Sequence, residues 1–84
     1  MEGSGKEVPP ETVRRVLQAA AVEAHGRTEA YATQARVMGL ADMVDLEGFK
    51  AIAEYLERRG WIADADSDYD NFTVTISGID ETMK

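Results

Sequence analysis

The spacing of apolar residues divides the chain into three helical stretches followed by two strand-like ones. The clearest stretch runs from Asp45 to Ile62. Leu46, Phe49, Ile52, Ala53 and Leu56 recur at offsets of three and four and share one helical face, while Glu47, Lys50, Glu54, Glu57 and Arg58 fall mostly on the other. Asp45 stands at the N-cap, where a carboxylate can accept a first-turn N–H. Arg58 and Arg59 suit the negative end of the helix dipole, and Gly60 can adopt the left-handed conformation that ends a helix. Upstream, Val13, Val16, Leu17, Ala20 and Ala24 form the stripe of a first helix, which starts near Pro9–Pro10 and stops at Gly26. Tyr31, Ala35 and Met38 place a second helix from Thr28 or Glu29 to Met38, with Thr28 as its cap. Gly39 either ends that helix or lies inside one that continues to Met43. After Gly60 the period changes to two. Trp61, Ala63 and Ala65 alternate with Ile62 and Asp64, and Phe72, Val74 and Ile76 alternate with Thr73 and Thr75.

The polar run 64–71 between these two segments makes them an antiparallel hairpin. A two-stranded hairpin does not stand alone in water, so its Phe72/Val74/Ile76 face must pack on the helices. Ser77–Gly78 breaks the second strand, and Ile79 folds back onto the core. The expected architecture is α+β: three helices, then a two-stranded hairpin. Residues 1–8 read as a disordered tail, 9–80 as the domain and 81–84 as a frayed end. Eighty-four residues make one domain with a thin core.

The pattern of residues 52–62 (IAEYLERRGWI) and 72–80 (FTVTISGID) resembles the winged-helix superfamily of transcription-regulator-like domains. Leu56-Glu57-Arg58-Arg59-Gly60-Trp61-Ile62 is similar to the end of that superfamily's third helix. Val74-Thr75-Ile76-Ser77-Gly78 is similar to the strand that follows its wing. The resemblance covers roughly residues 10–80, with its specific part in the last third. It implies that the helix before the wing enters the major groove of double-stranded DNA while the wing touches backbone or minor groove. Arg36, Lys50, Arg58 and Tyr69 would then be the nucleic-acid contacts, and a homodimer would match a palindromic site.

Charge changes this picture. The net charge is −7, and it is unevenly placed. Residues 1–41 carry five acids and five bases, whereas residues 42–70 carry nine acids against Lys50, Arg58 and Arg59, a net −6. DNA affinity comes largely from cations that neutralise phosphates, and a face this acidic works against it. The alternative is an acidic protein-interaction module in which Glu47, Glu54, Asp66 and Asp68, on the third helix and the wing, meet a basic protein partner without binding DNA. Arg14, Arg15, Arg27 and Arg36 read as scattered solvated charges pairing with Glu11 and Glu23, the alternative being a basic patch away from the wing.

Other chemistry is sparse. Asp64, Asp66, Asp68 and Asp70 have the odd spacing of the first ligands of a calcium loop, but the sixth position is Tyr69 and the twelfth is Thr75 where such a loop needs glycine and glutamate. The run therefore reads as a solvated acidic turn, and no metal or cofactor is expected. His25, the only histidine, reads as a helix-end or solvent residue. With no cysteine and with Ser4, Ser67 and Ser77 in tail and turn positions, no nucleophile–base pair suggests itself, and an enzyme is not expected. Trp61 reads as a packing residue, with an exposed partner anchor as the alternative. No stretch approaches a membrane span, no secretory signal is visible, and the expected location is the cytoplasm.

Overall fold

In the computed structural model, which describes residues 8–84, the chain runs α1 (Pro10–Glu23), β1 (Tyr31–Thr33), α2 (Gln34–Leu40), α3 (Leu46–Arg58), β2 (Ile62–Ala63), β3 (Asn71–Val74) and α4 (Ile76–Thr82). The three strands form one antiparallel sheet in the order β1–β3–β2. This is an α+β fold, with one helix and one strand more than the sequence pattern gives. The expectation for residues 1–7 lies outside the described residues. Val8, also assigned to the tail, packs against the core.

The helices bury the stripes their sequences display. Val13, Val16, Leu17 and Ala20 of α1 and Phe49, Ile52, Ala53 and Leu56 of α3 are buried together with Ala32, Val37, Phe72 and Val74. Phe49 and Phe72 meet at 6.3 Å between ring centroids, which joins α3 to the central strand. Among the described residues no helix is long and apolar enough to cross a membrane.

Three helices end in the same way. A left-handed residue follows the C-cap, and two backbone N–H groups reach back to otherwise unpaired carbonyls. After α3 that residue is Gly60 (φ +77°), with Gly60 N–H on the Glu57 carbonyl and Trp61 N–H on that of Leu56. After α1 it is His25 (φ +56°), with Gly26 N–H reaching Ala21 at 2.9 Å, so the stop falls one residue before the glycine. After α2 it is Asp42 (φ +58°), with Met43 N–H reaching Met38 at 2.8 Å. Gly39 therefore lies inside α2, one residue from its end, and the helix does not continue to Met43.

The second helix differs most from its sequence pattern. Residues 28–30 are bends, and Tyr31–Thr33 is a strand paired Tyr31↔Thr73, Ala32↔Phe72 and Thr33↔Asn71. The helix begins only at Gln34. A lone β3–β2 hairpin would leave the other edge of β3 with unpaired N–H and C=O groups in the core, and β1 supplies their partners. Tyr31 and Ala35, which share one face with Met38 in the helical reading, are exposed, while Ala32 and Val37 are buried. Thr28 caps nothing; the N-cap position of α2 is Thr33.

The far end of β3 also departs from the pattern. Ile76, expected on the core face with Phe72 and Val74, is 70% exposed, because the strand stops at Val74 and a helix starts in its place. Thr75 makes that corner. Its hydroxyl accepts the Gly78 N–H at 3.0 Å and donates to the Gly60 carbonyl at 2.6 Å, while its own N–H bonds the Trp61 carbonyl. Gly78 is what lets α4 pass so close. A Cβ there would lie 2.2 Å from the Trp61 carbonyl oxygen and 2.9 Å from Val74 Cγ1. Ile79 returns to the core as expected, and Glu81 and Thr82 belong to α4. Arg14 donates to the Lys84 carbonyl and ties the end of α4 to α1.

Two substitutions test these joints by urea denaturation. Gly78→Ala should cost about 2–3 kcal/mol, as overpacking against backbone does. His25→Gly should gain about 0.5–1 kcal/mol by relieving a left-handed non-glycine residue.

Candidate interaction face

Helix α3 turns Glu47, Lys50, Ala51, Glu54 and Arg58 away from the core because Phe49, Ile52, Ala53 and Leu56 occupy its other side. Asp45 is the N-cap residue, yet its side chain caps no N–H; it lies over Gly48, where a Cβ would meet Asp45 Oδ2 at 2.6 Å. The loop 64–70 between β2 and β3 bends back over α3, and a groove lined by Glu47, Lys50, Glu54, Arg58, Ser67 and Tyr69 separates the two.

The loop is held at several points. Tyr69 donates its hydroxyl to Glu57 Oε1 at 2.8 Å, and Lys50 Nζ lies 3.6 Å from Asp68 Oδ1. Gln34, at the start of α2, donates Nε2–H to the Asp68 carbonyl at 2.9 Å and its backbone N–H to the Asp70 carbonyl at 2.8 Å. Within the loop, Asp66 Oδ1 accepts the Asp70 N–H at 2.7 Å, and Asp64 Oδ2 accepts from the Thr73 hydroxyl. Asp64 (φ +53°) and Tyr69 (φ +58°) take left-handed backbone to make the bend.

Of the residues singled out as nucleic-acid contacts, Lys50, Arg58 and Tyr69 share this groove, and each faces a carboxylate, Lys50 as an ion pair and the other two through hydrogen bonds. Arg58 pairs with Glu54 at 3.0 Å, one turn away on the same helix. Arg36 lies elsewhere, on α2, paired with Glu23 of α1 at 3.6 Å. Of the residues singled out for a protein partner, Glu47 and Glu54 stand on α3, Asp68 faces Lys50, and Asp66 is turned into its own loop. Two participants escape the sequence pattern. Gln34 is hidden inside the longer helix that the spacing predicts, and nothing in the pattern links Glu57 to Tyr69.

Among the described residues, no three side chains of the metal-binding types converge. Trp61 is half-buried. It meets Tyr55 edge-on at 6.2 Å, and the Arg59 guanidinium lies over its ring at 4.9 Å, which places it between packing residue and surface. A smaller apolar hollow of about 370 Å³ opens beside it, walled by Val8, Val13, Leu17, Tyr55 and Trp61. No protein-family model matches the chain, and no curated protein or solved structure shows significant similarity to it.

The Tyr69 phenol responds to this geometry. Desolvation against α3, then the hydrogen bond to Glu57 and the charges of Glu57 and Glu54, push the Tyr69 phenol up to about 12 from its usual 10, with Arg58 opposing. The folded state thus holds this proton more tightly than the unfolded chain does. The stabilisation is complete below pH 10 and is lost as pH rises through about 12. In a phenolate absorbance titration, Tyr69 should ionise in a late step near pH 12. Tyr69→Phe should remove that late step, and Glu57→Gln should bring it earlier.

Proposed function

We propose that this chain is a winged-helix domain whose α3–hairpin face binds a basic segment of a protein partner rather than DNA. The fold half of the proposal is supported by the α2–turn–α3 unit, with residues 41–45 as the turn, followed at once by the β2–β3 hairpin. The functional half rests on one observation. Lys50 and Arg58, the two cations on the outer face of α3, are already paired with Asp68 and Glu54 of the same surface. What remains for a partner is the excess of carboxylates around them.

A phosphate approaching α3 would have to displace Asp68 from Lys50 and Glu54 from Arg58, and would still meet Glu47 and Glu57. A lysine- or arginine-rich segment meets no such obstacle. It would find Glu47 and Glu54 on the α3 wall of the groove and, on the loop wall, Tyr69 as an aromatic surface for a guanidinium. The second reading, double-stranded DNA read by α3, draws on the helix-turn-helix arrangement alone, and fold does not fix function. The proposal assigns the chain no catalysis.

Fluorescence anisotropy separates the readings. At low salt a labelled arginine-rich peptide should bind, with affinity falling as salt rises. A random DNA duplex should not bind at tens of micromolar protein. Glu47→Lys combined with Glu54→Lys should weaken the peptide at least tenfold, about 1.4 kcal/mol. Duplex binding with a steep negative salt slope would overturn the proposal in favour of DNA.

A further inference from the structure

We propose that the hollow beside Trp61 binds one flat, uncharged aromatic molecule of one or two rings that carries a hydrogen-bond acceptor. The hollow lies where α1 packs against both α3 and α4. Its floor is Val13 and Leu17 of α1, which belong to the buried core. Tyr55 of α3 and Trp61 form one wall, and Pro10 stands at the α1 side. Val8 and Tyr55 also border the acidic groove, so the two depressions are neighbours across these residues. At about 370 Å³ the hollow is at the low end of the range of about 300–1,000 Å³ for small-molecule sites, which suits a compact ligand.

The walls select an aromatic body. Tyr55 and Trp61 stand at 74° to each other with ring centroids 6.2 Å apart, so they make a corner and not a stack. A flat ring entering that corner can lie parallel to one of them and perpendicular to the other, and aromatic pairs favour both arrangements. Val13 and Leu17 offer aliphatic surface beneath it. The same two wall residues select an acceptor. Among the described residues, neither the Tyr55 hydroxyl nor the Trp61 indole N–H takes part in a side-chain hydrogen bond. Both groups are donors, and a carbonyl oxygen on the ligand can receive either.

The rim excludes charge of either sign. Glu11, Arg14 and Glu81 stand around the mouth. Arg14, the cation among them, already donates to the Lys84 carbonyl, and an anion reaching it would meet Glu11 and Glu81. A cation fares no better. Lys84 Nζ holds Glu81 at 3.3 Å, Glu11 sits in the first turn of α1 where the helix dipole accommodates it, and Arg14 lies on the same rim. The Arg59 guanidinium is already over the Trp61 ring at 4.9 Å, so a second cation on that ring would face a like charge. An uncharged ligand disturbs none of these contacts and covers the apolar floor.

Trp61 is the only tryptophan, so its indole N–H gives a single resonance with which to follow binding. Acetophenone should move that resonance saturably, with Kd below about 1 mM. Benzoate and benzylammonium, of similar shape but opposite charge, should bind about tenfold more weakly or worse. Ethylbenzene, which lacks the acceptor, should bind about fivefold more weakly. Thr82→Phe narrows the mouth from α4, and the Thr82 hydroxyl it removes donates only to the Ile79 carbonyl of the same helix. That variant should keep its Tm and lose acetophenone binding. No saturable movement of the Trp61 resonance up to the solubility limit would overturn the proposal. So would a charged probe or ethylbenzene binding as tightly as acetophenone, or a folded Thr82→Phe chain that binds acetophenone as wild type does.

Discussion

The contact of Phe49 with Phe72 holds the rest of the structure in place. Both rings are fully buried, one from the middle of α3 and one from the central strand. β3 pairs with β1 along one edge and with β2 along the other, so fixing it fixes the whole sheet. α3 is thereby set at the height where the loop 64–70 can reach it. Truncating a buried phenylalanine typically costs about 3–5 kcal/mol. A domain of this size has only about 5–10 kcal/mol in total, so the core has little to spare. The corner at Thr75 is the second constraint. There Trp61, Gly60 and Gly78 meet within hydrogen-bonding distance of one threonine or of one another's backbone, which converts the end of a strand into the start of α4.

The sequence displayed its long periodic elements well and its short ones badly. α1 and α3 carry complete apolar stripes, and their limits come close to those read from the spacing. The left-handed stop after α3 fell on a glycine and was visible; those after α1 and α2 fell on His25 and Asp42, residue types with no strong stop signal. β1 has three residues, too few to show a period of two, and Tyr31 and Ala35 happened to stand at helical offsets. α4 was hidden because Ile76 continued the alternation of Phe72 and Val74, although the threonine before it is what turns the chain. The candidate face was half legible. Helical spacing put Glu47, Lys50 and Glu54 together, and the acidic loop had to lie nearby. That Asp68 would close on Lys50, and Tyr69 on Glu57, required the loop to fold back, which depends on the left-handed Tyr69 and the brace from Gln34.

These features give the acidic face a built character. Its groove carboxylates stand on a helix, and the loop fastened to that helix adds Tyr69 opposite them, so a partner meets a groove with one charged wall and one aromatic one. Preorganised charge of this kind favours fast association and discrimination against like-charged ligands more than raw affinity.

The central claim, that the α3–hairpin groove receives a basic protein segment, is tested most directly by mapping amide chemical shifts while an arginine-rich peptide is added. The account predicts saturable shifts concentrated on residues 47–58 and 64–70, with α1 and α4 silent. Shifts confined to α1, α4 or β1, or perturbation of the α3 amides by duplex DNA in place of the peptide, would contradict it.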